Sequence, residues 1–104
     1  MRYRISDDAE VDLHEIFLYW AERINLTIAD RVIDGIVERF RLLDEFPETG
    51  RSSNDIASGV RCFPASEYLI YYRRSRKYTD ILHVFHGARK QARAVNKKTR
   101  KSRN

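Results

Sequence analysis

The residues able to do chemistry are few and scattered. His14, His83 and His86 are the histidines, and Cys62 is the single cysteine. One thiolate and three separated imidazoles do not make a thiolate-based zinc site. His83 and His86 stand three apart, so on a strand they point to opposite faces and do not share an ion. No metal and no cofactor is therefore expected. The glycines at 35, 50, 59 and 87 are isolated, which argues against a glycine-rich phosphate loop. No serine sits in a nucleophile elbow. Arginine is the functional type that remains. Arg51 and Arg61 carry rigid planar forks suited to carboxylates or phosphates, and Asp44, Glu45 or Asp55 could equally hold them in structural pairs. Tyr68, Tyr71 and Tyr72 offer faces on which bases could stack, although packing within a sheet is the commoner use of such residues. His86, before Gly87, reads as a local hydrogen-bonding partner at a strand end. His83 and Cys62 read as ordinary strand residues, and His14 falls on the polar side of a helix.

The elements that must position these groups are legible in the hydrophobic spacing. Ser6-Asp7-Asp8 supplies side-chain oxygens for a helix start, and Asp7, Asp8, Glu10 and Asp12 place negative charge near the positive end of the helix dipole. Ala9, Leu13, Ile16, Phe17, Trp20 and Ile24 then form one apolar stripe, with Asn25 expected to end the helix. Thr27 is expected to cap a second helix with the stripe Ala29, Val32, Ile33, Ile36, Val37, Phe40 and Leu43. A link this short makes the pair an antiparallel hairpin. Phe46-Pro47 stops the second helix, and a polar loop runs from Gly50 to Gly59, where positive φ is expected at both glycines. Three aromatic, β-branched runs follow: Val60–Phe63, Tyr68–Arg73 and Thr79–His86. Their spacing predicts a three-stranded antiparallel meander, to which Tyr3-Arg4-Ile5 can add an edge strand. The fold class is thus α+β, in the order β-α-α-β-β-β, with the helices on one face of the sheet.

A chain of 104 residues suits a single domain, placed at residues 1–93, with a basic and disordered tail at 94–104. The net charge of +5 hides an asymmetry. Residues 89–104 hold eight of the twenty Lys/Arg and no acid, which leaves twelve bases against fifteen acids in residues 1–88. The body is mildly acidic and the positive charge is a property of the tail. Eight cations could make several phosphate contacts, so the tail is a candidate nucleic-acid contact, or a solubilising or partner-docking segment. No apolar run approaches the ~20 residues that span a bilayer. Met1-Arg2-Tyr3-Arg4-Ile5 lacks the apolar stretch of a secretory signal, so no membrane role and a cytoplasmic setting are expected.

Four motifs in order carry a resemblance. They are Pro47-Glu48-Thr49-Gly50-Arg51, Gly59-Val60-Arg61-Cys62-Phe63, Tyr68-Leu69-Ile70-Tyr71-Tyr72-Arg73 and His83-Val84-Phe85-His86-Gly87-Ala88-Arg89. From about Ala9 to Arg89 the chain resembles the RelE/ParE superfamily of type II toxins, and its ParE-like branch in particular. Lys90, where that family commonly has an acid, and the long basic tail are the departures.

The resemblance implies a toxin neutralised by a cognate antitoxin in a hetero-oligomer, as in plasmid stabilization systems, and it leaves two activities open. ParE-like toxins inhibit DNA gyrase by protein–protein binding, which favours no catalytic residues at all. RelE-like toxins cleave messenger RNA on the ribosome. The body's acidity and its single lysine before position 90, Lys77, favour the gyrase inhibitor. A ribonuclease would draw on Arg61, Glu67, Arg73, His86 and Arg89, with His86 or Glu67 as base and an arginine on the scissile phosphate. Target-binding candidates are Arg51, Arg61, Arg73, His86, Arg89, Lys90 and Arg93. Leu18, Tyr19 and Leu26 fall outside the core stripes and are candidates for antitoxin binding, although they could equally finish the domain's own core.

Overall fold

The computed structural model describes residues 2–87; Arg89, Lys90, Arg93 and the tail at 94–104 lie outside the described residues. The elements run β1 (Tyr3–Ile5), α1 (Asp7–Arg23), α2 (Leu26–Glu45), β2 (Arg51–Ser52), β3 (Val60–Ala65), β4 (Tyr68–Arg74) and β5 (Thr79–His86). This is the expected α+β order, with a two-residue strand added in the loop after α2. The five strands form one mixed sheet in the order β1-β5-β4-β3-β2. The antiparallel meander of β3, β4 and β5 is its centre, and β1 joins the far edge in parallel register, Tyr3 opposite Thr79 and Ile5 opposite Ile81.

Capping places the helices. Ser6 Oγ accepts the Ala9 N–H at 3.0 Å and donates to the Leu82 carbonyl at 3.0 Å, so the cap of α1 is also a tie to β5. At the second helix the expectation needs correction: Asn25, not Thr27, is the cap. Its Oδ1 accepts the Ile28 N–H at 2.8 Å from an extended backbone, and Thr27 already lies inside the first turn. Ile24 caps the end of α1 and is exposed, so the apolar stripe of α1 stops at Trp20.

The core sits between the hairpin and one face of the sheet. Ala9 and Ile16 of α1 and Ile36, Phe40 and Leu43 of α2 bury against Tyr68, Ile70, Tyr72, Ile81 and Val84. Burying a large apolar side chain of this kind contributes roughly 1.5–3 kcal/mol. The other face has its own small cluster, in which Val60, Cys62 and Tyr71 are buried beside Leu69, Leu82 and Phe85. Successive residues of β4 therefore serve opposite faces, Tyr72 the helix side and Tyr71 the open side, and both are packing residues.

Candidate functional site

The loop between α2 and β3 is pinned at Gly50. Its N–H donates to Tyr72 Oη at 2.8 Å, and Tyr72 in turn donates to the Pro47 carbonyl at 2.8 Å. Arg61 Nη1 donates to the Gly50 carbonyl at 2.6 Å. The reason for a glycine here is closeness, since a Cβ would meet Tyr72 Oη at 2.6 Å and the Cys62 carbonyl at 2.9 Å. Only Gly59 of the expected pair has positive φ, at +79°. Burial pushes the Tyr72 hydroxyl above its ordinary range, partly offset by the Gly50 N–H and the nearby Arg61. Burial first, then the neighbouring Cys62 thiol, pushes Tyr71 up as well.

These bonds settle where the arginines are. Arg61 pairs with Tyr72 across the ladder and lies on the helix-side face, its fork engaged by a backbone carbonyl and not by Asp44, Glu45 or Asp55. Arg51 is opposite Cys62, exposed, with no ion pair among the described residues. Arg73 follows Tyr72, faces the other way, and donates to the Ser58 carbonyl at 3.3 Å. Arg61 and Arg73 thus share one end of the sheet on opposite faces.

Glu67 and His86 meet at the other end. Glu67 lies in the β3–β4 turn, and His86 Nε2 is 3.5 Å from Glu67 Oε2 with both side chains part-exposed. Gly87 N–H donates to the Glu67 carbonyl, which fixes the strand end locally. Four strand steps separate Arg61 from Ala65, roughly 13 Å, before the turn that carries Glu67. The four described members of the ribonuclease set therefore form two separate pairs, and Arg89 lies outside the described residues.

One constellation had no signal in the sequence. His83 is more than an ordinary strand residue: its Nδ1 is 3.1 Å from Asp12 Oδ2, and its ring stacks on Phe85. The same carboxylate oxygen accepts the Val84 N–H at 2.9 Å. Beyond Ile81, β5 has no partner from β1, and Asp12 of α1 takes the place of the missing strand. The two residues are 71 positions apart, so no local pattern announces them. Among the described residues no group of His, Cys, Asp or Glu could hold a metal ion.

The helical hairpin carries the exposed apolar surface. Leu18, Tyr19 and Leu26 are 42%, 44% and 64% exposed, so they do not complete the domain's own core. Arg23 lies over the Tyr19 ring at 4.5 Å. Beside them Trp20 is tied inward, its Nε1–H donating to Tyr68 Oη at 2.8 Å. Further along, a groove of about 340 Å³ separates α2 from the β3–β4 turn, with Ile28, Val32 and Tyr68 in its lining and Arg31, Arg39 and Glu67 among its polar groups.

Comparison with known proteins follows the fold. Residues 3–91 match the family model of the ParE toxin of the type II toxin–antitoxin system parDE. Among solved structures the chain is similar to one of the chromosomal ParDE toxin–antitoxin system from P. aeruginosa, with a TM-score of 0.72 and 22% identity, covering 83% of this chain and 95% of that one. At that identity the likeness is one of fold. No curated protein matches the sequence.

Proposed function

Because this chain belongs to the ParE toxin family of type II toxin–antitoxin systems, we propose that it inhibits DNA gyrase by protein–protein binding and is neutralised by a cognate antitoxin. The observation that carries the reading against RNA cleavage is the separation of Arg61 and Arg73 from Glu67 and His86. A general base must lie within ~3 Å of its proton while another group steadies the phosphate, and pairs at opposite ends of a strand do not share one scissile bond. A binding surface has no such requirement. Arg51 and Arg73, exposed on the sheet and its loop, with His86 at the strand end, are the described candidates for target contact. Arg61, engaged at Gly50, positions that loop. Arg89, Lys90 and Arg93 complete the proposed set. The action is cytoplasmic, where gyrase meets the chromosome, and no helix among the described residues is long and apolar enough to cross a membrane.

The antitoxin reading rests on the exposed patch of Leu18, Tyr19 and Leu26. Desolvated aromatic and aliphatic anchors dominate protein interfaces, and the hairpin offers them with an arginine alongside. Purified toxin is added to gyrase supercoiling reactions, with a ribosome-dependent messenger RNA cleavage assay in parallel. Loss of supercoiling with accumulating linear DNA and intact RNA is the expected result. Cleaved RNA with normal supercoiling would overturn it and direct mutagenesis to Glu67 and His86, the one acid–imidazole contact in the set. Replacing Leu18, Tyr19 and Leu26 by serine is expected to weaken the antitoxin at least tenfold and leave gyrase inhibition intact.

A further inference from the structure

Positive charge within the folded body is not spread evenly. Tyr68 to Thr79 contains Arg73, Arg74, Arg76 and Lys77 and no acid. The β4–β5 turn presents them in a fixed place, because Ser75 N–H and Oγ both bond the Tyr78 carbonyl, at 2.8 and 3.0 Å. Parallel pairing of β1 with the start of β5 brings Arg2 and Arg4 to the same end, with Thr79 N–H donating to the Arg2 carbonyl at 2.8 Å. Six of the twelve cations in residues 1–88 thus gather at one end of the sheet.

Few of them are neutralised. Arg74 is 3.6 Å from Asp44, and Arg4 is bonded through Nε to Asp80 at 2.8 Å. Arg4 also lies over the Tyr78 ring at 4.3 Å, which orients its guanidinium and leaves both Nη groups for a further acceptor. Arg76 and Lys77 are exposed, and no carboxylate among the described residues pairs with either. Within the β4–β5 turn the one large exposed ring, Tyr78, already has Arg4 over it, so the turn presents charge in preference to an apolar anchor. Cations on β1 and β4, which flank β5 and so stand roughly 10 Å apart, with Arg76 and Lys77 in the turn between β4 and β5, instead suit a ligand with repeated charge. Duplex DNA carries one phosphate per ~1.7 Å of its axis.

We propose that the end of the sheet formed by the β4–β5 turn and the start of β1, with Arg2, Arg4, Arg73, Arg76 and Lys77, is a contact surface for the phosphodiester backbone of duplex DNA. None of these residues belongs to the basic tail, and the proposal does not depend on the gyrase reading. Phosphate contacts set affinity and orientation without reading sequence, so this contact is sequence-independent.

The test uses the full chain, tail included, and a labelled 24-base-pair duplex of mixed sequence, titrated between 50 and 200 mM salt. Arg76→Glu/Lys77→Glu is compared with Arg23→Glu/Arg31→Glu, which changes net charge equally at the opposite end of the molecule. Each phosphate contact contributes about 0.9 to the slope of log affinity against log salt. Loss of two contacts lowers the slope by about 1.8, so the fall in affinity across that salt range shrinks by roughly twelvefold. The expected result is that change in the turn variant and an unchanged slope in the charge-matched one. Equal changes in both, an unchanged turn variant, or no binding by the parent chain at 50 mM salt would each overturn the proposal.

Discussion

Removing one oxygen from the core should unpin the loop that leads into the sheet. Tyr72 is fully buried, and its hydroxyl joins the Gly50 N–H to the Pro47 carbonyl. Tyr72→Phe keeps the ring and its packing but leaves a donor at a buried glycine without an acceptor. A net hydrogen bond contributes roughly 1 kcal/mol, and an orphaned buried donor costs about 1–3 kcal/mol. The Pro47 carbonyl is half-buried and recovers part of its loss from water, so the expected cost is about 2–3 kcal/mol. For a domain of this size that lowers the Tm by roughly 10–20 °C. Urea unfolding, followed through the fluorescence of Trp20, should show a lower midpoint at an unchanged m value, because the surface exposed on unfolding is the same. Gly50→Ala should be comparably severe by another route, as its Cβ would drive into Tyr72 Oη. A Tyr72→Phe loss below about 0.5 kcal/mol, the range of ordinary surface changes, would refute the claim that this hydroxyl holds the loop.

Two further predictions concern the sheet edge and the buried phenols. Asp12→Ala should cost about 2–3 kcal/mol and speed amide exchange at Val84, whose N–H loses its acceptor, whereas Asp12→Asn keeps an acceptor oxygen and should cost clearly less; equal costs would show that charge toward His83, and not the bond to Val84, fixes the edge. Tyr71 and Tyr72 both have hydroxyls raised above their ordinary pKa, chiefly by burial, so the unfolded chain loses those protons first. The folded state's advantage is then complete below about pH 10 and is lost as pH rises through the raised folded values. Absorbance at 295 nm should show these phenols ionising only together with loss of the helical circular dichroism signal, and ionisation in a still-folded protein would contradict their burial.

The sequence determined what depends on near neighbours. Ser6 with three acids behind it, the two apolar stripes and the three aromatic runs specify two helices and a meander, because capping and amphipathic spacing act within a few residues. The same reasoning put Leu18, Tyr19 and Leu26 outside the stripes but left open whether they complete the core, and the tertiary structure leaves them exposed. It went wrong at the cap of α2, where Asn25 and Thr27 are both competent and the short link leaves room for one turn only. What tertiary structure alone decided are contacts between distant residues. Gly50 looked like a turn glycine, but its reason for being glycine is a tyrosine 22 positions later. Asp12 looked like a helix-dipole residue, but it closes the open edge of β5 beyond the end of β1. The arginines followed the same rule: type predicted a fork, while strand register decided that Arg61 would face the helices and hold a carbonyl, and that Arg73 would face outward. A side chain's chemistry is carried by its type, but its partner is set by which backbone the fold brings within about 3 Å, and that distance is not written in local sequence.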